Sequence, residues 1–160
     1  MPFKNRLFWI AAAIAIALDQ LTKYWVVQGM RLQETIPLWE EVFHFTYVLN
    51  TGAAFSLFSN SGGWLRWLSL IVSLGLMALA LLGPPMTLWE QWGFGFILGG
   101  ALGNGIDRFA SGAVVDFLDF RLIRFPIFNL ADVFINLGIA CLLITAFWQS
   151  GPSNRTDRPS

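Results

Sequence analysis

Four apolar runs, each close to 20 residues, occupy most of a chain of 160 residues, and nothing else in the sequence constrains its fold as strongly. A helix crossing the hydrocarbon of a bilayer needs about 20 mainly apolar residues. In lipid the backbone must also satisfy its own hydrogen bonds, which leaves only helices and closed barrels. The runs cover approximately 7–27, 64–82, 89–109 and 127–148, and they predict an all-α membrane protein with four transmembrane helices. Charge agrees: 12% of residues are Asp, Glu, Lys or Arg, against roughly 25% in soluble domains. Trp9, Trp25, Trp64, Trp67, Trp89, Trp92 and Trp148 fall near the proposed ends, where amphipathic rings prefer the interface. Only Trp39 lies elsewhere.

Lys4 and Arg6 ahead of an apolar stretch imitate a cleavable export signal. The stretch, however, continues to Val27 without a convincing cleavage site and holds Asp19 and Lys23, so it is expected to stay as the first span. Pro84 and Pro85 interrupt the chain between the second and third runs, which forces a tight hairpin there. The two other connections are long. Residues Val42 to Leu49 and Ala113 to Phe120 are rich in β-branched and aromatic types and read as strands, so the loops are expected to pair as a small extramembrane β-rich region. Residues 1–149 then form a single four-helix domain, and 150–160, rich in Gly, Pro, Ser and Asn, a polar disordered cytoplasmic tail.

With four spans, both termini lie on one side and both long loops on the other. Basic residues barely choose between the two orientations, since Arg31, Arg66, Arg108, Arg121 and Arg124 lie on the loop side. The flank of the first helix, Lys4 and Arg6, favours termini in the cytoplasm.

The formal net charge is zero and there is no basic stripe, which sets nucleic acid aside as a partner. One cysteine, Cys141, and one histidine, His44, exclude a disulfide framework and a protein-built zinc or iron site. Neither a metal nor another cofactor is expected, so hydrolytic chemistry would fall to carboxylates or hydroxyls.

Intramembrane carboxylates are expensive and mark function by default. Antiparallel spans bring the end of the first and third to the start of the second and fourth. Asp19 and Lys23 lie late in span one, Asn104, Asp107 and Arg108 close span three, and Asn129, Asp132 and Asn136 open span four. Asp132 is then about five residues into its helix, roughly 7 Å of rise. These segments converge on one shallow layer below a membrane surface.

Simpler readings exist for each element. Asp19 and Lys23 sit four apart and can neutralise each other; Asp107 has Arg108 beside it. Gly95, Gly99 and Gly103 form a ridge suited to close helix packing. His44 reads as a sheet residue and Cys141 as packing. What resists this account is the surplus of acids in one layer. Two close carboxylates cannot both ionise cheaply, so one retains its proton, which is the acid and base pair that peptide hydrolysis uses. Local cations leave Asp116, Asp119 and Asp132 as candidates, and charge alone does not choose among them.

Five stretches in order resemble the lipoprotein signal peptidases, also called signal peptidase II. They are Asp19-Gln20-Leu21-Thr22-Lys23, Asn50-Thr51-Gly52-Ala53-Ala54-Phe55, the run from Gly99 to Arg108, Val114-Val115-Asp116-Phe117, and Phe128-Asn129-Leu130-Ala131-Asp132. The resemblance implies a bacterial inner-membrane aspartyl endopeptidase with Asp116 and Asp132 as the catalytic dyad. It carries over Asp19, Asn50, Asn104, Asp107, Arg108 and Asn129 as surrounding residues, with Lys23, Gly52 and Ala131 of the same motifs as substrate-binding or supporting positions. It implies as substrate a prolipoprotein whose cysteine bears diacylglycerol, cut on the N-terminal side of that cysteine near the periplasmic face. Membrane lipid is the remaining partner, and the site is expected to be complete within a monomer.

Two rivals remain. A Ser and Lys dyad would use Lys23 with Ser56, Ser59 or Ser61, leaving the aspartates unexplained. A small transporter or proton channel would relay charge through Asp and Lys, against the confinement of polar residues to one half of the membrane.

Overall fold

The computed structural model describes residues 4–52, 62–123 and 125–149. Ala53, Ala54 and Phe55 of the second motif, the serines 56, 59 and 61, Arg124 and the tail from Ser150 lie outside the described residues.

Helix α1 spans Arg6–Gly29, α2 Leu65–Leu82, α3 Leu88–Ala110 and α4 Leu130–Gln149. Three of them are long and apolar enough to cross a membrane, namely Arg6–Gly29, Leu65–Leu82 and Leu130–Trp148. Helix α3 is as long, but its glycines and its polar end at Asn104, Asp107 and Arg108 make it less apolar. Packing explains the difference. Helix α3 lies between α1 and α4, so much of its surface meets protein. A Cβ on Gly95 would stand 2.5 Å from the Phe8 carbonyl oxygen, one on Gly99 would overlap Ala15, and on the other face one on Gly100 would overlap the carbonyl of Ala131. The expected ridge of Gly95, Gly99 and Gly103 is thus the seam against α1. Large apolar side chains instead point outward, such as Ile71 at 66% and Phe147 at 76% exposure, the pattern expected of a surface solvated by lipid.

The start of α1, the end of α4 and the α2–α3 hairpin share one end. Asn5 donates from Nδ2 to the Ala80 carbonyl at 2.9 Å and accepts the Met86 N–H at 3.0 Å, and Lys4 Nζ donates to the Gly83 carbonyl. After Pro84 and Pro85, Thr87 and Glu90 form a reciprocal capping box that starts α3. Phe8, Ala12, Ala80 and Leu98 form the buried apolar core at this end. Polar residues gather at the other.

There a three-stranded antiparallel sheet forms in the order β1-β2-β3, from Thr35–Trp39, Phe43–Asn50 and Val114–Phe120. Strands β2 and β3 match the two strand-like runs of the sequence. Strand β1 is an addition, hidden by Pro37; the proline is accommodated because β1 is an edge strand. In the β2–β3 ladder Val48 faces Asp116 and Asn50 faces Val114, which brings the end of β2 beside the Asp116 carboxylate.

One boundary shifts with consequences. Helix α4 starts at Leu130, not near 127, because Phe128 bridges to Leu118 of β3 and Asn129 caps the helix. The Asn129 Oδ1 accepts the Asp132 N–H at 3.1 Å while Asp132 Oδ2 accepts the Asn129 N–H at 3.3 Å. Asp132 is therefore the third residue of α4, in its first turn, rather than the fifth.

Candidate active site

Helices α1, α3 and α4 and strands β2 and β3 all place polar groups in one layer at the sheet end. A cavity of about 930 Å³ opens there, with Asn50, Asn104, Arg108, Asp116, Asn129 and Asp132 in its wall, Gly52 at its rim, and apolar lining that includes Val48, Ile127 and Leu137. Seven of the expected site residues therefore share one cavity. Asp19, Lys23, Asp107 and Ala131 stand behind it.

All four oxygens of Asp116 and Asp132 accept N–H groups. Asp116 Oδ1 takes Asn129 Nδ2 at 2.6 Å and its Oδ2 takes Asn50 Nδ2 at 2.9 Å. Asp132 Oδ1 takes Asn104 Nδ2 at 2.9 Å and its Oδ2 takes the Asn129 backbone. Such donors favour the ionised forms. Burial opposes them at Asp116, whose side chain lies in a residue only 2% exposed. Loss of hydration pushes this carboxyl from the ordinary 3.8 to about 6, with the charge of Asp132 pushing the same way and the Asn50 and Asn129 amides and Lys23 pulling back. A carboxyl of that value is poised for proton transfer near neutral pH.

Behind the cavity lies an ionic cluster. Lys23, 3% exposed, bonds Asp19 Oδ2 at 2.8 Å, Asp107 Oδ2 at 2.9 Å and Asn104 Oδ1 at 3.0 Å. Asp19 Oδ1 also takes the Ala131 N–H at 2.9 Å, so an aspartate of α1 satisfies a free donor in the first turn of α4. Gln20, not singled out in the sequence, reaches Asp19, the Gly103 carbonyl and Asp107 within 3.2 Å. Its signal was an uncharged polar residue directly after an intramembrane aspartate.

Two expectations change. Asp107 was assigned to neighbouring Arg108, yet it pairs with Lys23 and accepts the Val115 N–H at 3.2 Å. Residues adjacent on a helix do not face each other. Arg108 turns to the cavity instead, where it lines the same wall as Asp116 and Asp132 and its guanidinium reaches the Gly52 carbonyl at 3.4 Å. Asp119, left as a catalytic candidate for want of a cation, has one: Arg121 Nε lies 3.0 Å away, and Thr46 Oγ1 donates at 2.7 Å. It belongs to the sheet and lies outside the cavity wall. His44 is a sheet residue, as expected, on β2 opposite Asp119.

A family profile described as signal peptidase (SPase) II matches residues 11–148. The chain is 68% identical over 158 residues to a lipoprotein signal peptidase of Cyanothece sp., covering 97% of this chain and 91% of that protein. It is 65% identical over 158 residues to a lipoprotein signal peptidase of Trichormus variabilis, covering 99% and 100%. Two solved structures of bacterial membrane enzymes share the fold. One, determined at 2.3 Å, superposes with a TM-score of 0.82 at 27% identity over 94% of this chain and 92% of that one. The other, determined at 1.9 Å, gives 0.76 at 29% identity over 86% and 90%.

Proposed function

This chain belongs to the signal peptidase II family of bacterial membrane peptidases, and on that premise we propose that it works as an aspartyl endopeptidase with Asp116 and Asp132 as its acid and base. The observation that carries this reading is the pairing of both carboxylates in one cavity wall, joined through Asn129. One of the two stays ionised and removes a proton from water as the water oxygen bonds to the scissile carbonyl carbon. The protonated partner donates to the carbonyl oxygen. As the tetrahedral intermediate collapses the C–N bond breaks, a proton passes to the departing nitrogen, and the products are a new carboxylate and a free α-amine.

The substrate is a prolipoprotein carrying diacylglycerol on its cysteine, cut on the N-terminal side of that residue. A lipid-anchored peptide delivers its scissile bond at a shallow depth, where the dyad lies in the first turn of α4 and on the adjoining strand. Helix α3 is the fourth span, completing a single domain over 1–149 that acts as a monomer. Both termini, with the tail from Ser150, face the cytoplasm, the cavity faces the periplasm, and no metal takes part.

The Ser and Lys alternative has less support. Lys23 is engaged by Asp19, Asp107 and Asn104 behind the cavity and is not in the cavity wall, where a general base would have to meet the serine and the scissile bond. A proton channel is opposed by the apolar core of Phe8, Ala12, Ala80 and Leu98 at the other end. The deciding experiment offers the purified protein a lipidated precursor peptide and its unlipidated form in liposomes. Cleavage of the lipidated form alone, before its cysteine, is expected. Equal cleavage of both rejects the substrate assignment, and restoration by added metal after chelation rejects the dyad.

A further inference from the structure

Among the described residues Lys23 bonds neither Asp116 nor Asp132, yet the amides that face them are oriented by it. An ammonium has three donors and no acceptor, and here all three are engaged, by Asp19, Asp107 and Asn104. Asn104 must therefore turn its oxygen toward α1, which leaves Nδ2 facing Asp132 Oδ1 at 2.9 Å. The same Asn104 oxygen receives Asn129 Nδ2 at 3.0 Å. Asn129 is thereby also fixed, with its amino group toward Asp116 Oδ1 and its oxygen on the Asp132 N–H. The two ends of an amide have nearly the same shape, so hydrogen-bond partners and not sterics decide which way it points.

We propose that Lys23 is a positioning residue for the peptidase reaction: by holding the Asn104 carbonyl toward α1 it sets the donor direction of both the Asn104 and Asn129 amides, so each dyad carboxylate faces an N–H. The proposal rests on the Asp116 and Asp132 assignment above. Were the Asn104 amide reversed, its oxygen would stand against Asp132, an arrangement that requires a proton on the carboxyl. The first ionisation of the pair would then need a higher pH. The charged groups facing the dyad are Asp19 and Lys23 from α1 and Asp107 and Arg108 from α3. Of these Arg108 acts on the carboxylates directly, whereas Lys23 adds to its own charge a relay through Asn104.

The test is a double-mutant comparison of pH profiles in liposomes, with Lys23→Met made in the parent and in Asn104→Ala. In the parent, Lys23→Met moves the acidic limb of kcat/KM upward by about 1 pH unit, the scale of losing one N–H from a carboxylate. In Asn104→Ala the same substitution moves it by less than half as much. Equal displacement in both backgrounds overturns the relay and leaves only a charge acting through space. Where turnover is too low for a profile, the carboxyl stretching band of protein with labelled aspartate, minus that of Asp132→Asn, follows the same titration. Should Lys23→Met fail to insert, Lys23→Gln keeps an N–H donor at the position. Its limb then stays nearer the parent than that of Asn104→Ala, and a limb displaced as far as in Asn104→Ala overturns the proposal. Turnover surviving in Asp116→Asn or Asp132→Asn refutes the dyad itself and is read separately from these shifts.

Discussion

Asn129 donates from Nδ2 to Asp116 Oδ1 at 2.6 Å while its Oδ1 caps α4 on the backbone N–H of Asp132. One side chain thus ties a carboxylate on β3 to the start of the helix that carries its partner. Asn129→Ala is expected to cost about 1–2 kcal/mol through the lost cap and to lower turnover as well. Asn129→Ser keeps a capping hydroxyl that is too short to reach Asp116. It should recover most of the stability and little of the turnover, as thermal denaturation in detergent alongside peptide cleavage would reveal; joint recovery would mean the asparagine serves the helix alone.

Asp116→Asn and Asp132→Asn each remove one ionisable group while keeping its shape. Turnover should fall by roughly 10²–10⁴, the scale of losing general acid or base catalysis, with membrane insertion intact. Cleavage within tenfold of the parent in either variant is incompatible with the dyad.

Asp116 also predicts two pH responses. Its carboxyl is pushed to about 6 by burial, with the charge of Asp132 adding to the push, so kcat/KM should decline as pH rises through about 6, where the pair loses its protonated member. Stability moves the same way. A folded value above the ordinary 3.8 means the folded state binds the proton more tightly, so stability is gained as pH drops from about 6 to about 4 and lost as it rises again, by on the order of 3 kcal/mol. Melting temperatures across that window should change less in Asp116→Asn. An identical dependence in the variant would place the titration elsewhere.

The parts of this fold visible in sequence were those governed by composition and short spacing. Apolar runs located the helices, and β-branched runs located β2 and β3. Strand β1 escaped because Pro37 argues against a strand unless its edge position is known. The layer of Asp19, Lys23, Asn104, Asp107 and Asp132 followed from helix ends alone, but its pairing did not. Lys23 and Asp107 meet only through the packing of α1 on α3 across glycines, which no local pattern encodes. Asp119 was a different failure, since Arg121, two residues later in the turn just past the end of β3, supplied the missing cation.

That changed pairing alters what Arg108→Ala should do. A lone Asp107 would be costly to leave at the interface, but Asp107 keeps Lys23 and the Val115 N–H when Arg108 is removed. Melting temperature should therefore stay close to the parent while turnover falls, because the guanidinium that faces the cavity and the Gly52 carbonyl is lost. A large drop in stability would restore Asp107 and Arg108 as the structural pair.

Gly103 is the point at which packing and site meet. A Cβ there would overlap Asp19 Oδ2 and stand 3.0 Å from its Cγ. Asp19 has nowhere to retreat, since Lys23, Gln20 and the Ala131 N–H fix both of its oxygens. Gly103→Ala must then push α1 from α3 or break the cluster behind the dyad, at a cost of about 2–3 kcal/mol and with loss of turnover. Gly75, in α2, has nothing within 4 Å of such a Cβ, and alanine there should be neutral or stabilising by up to about 1 kcal/mol. Thermal denaturation of both variants in detergent decides the matter: if Gly103→Ala melts with Gly75→Ala, the close seam between α1 and α3 does not hold the cluster in place.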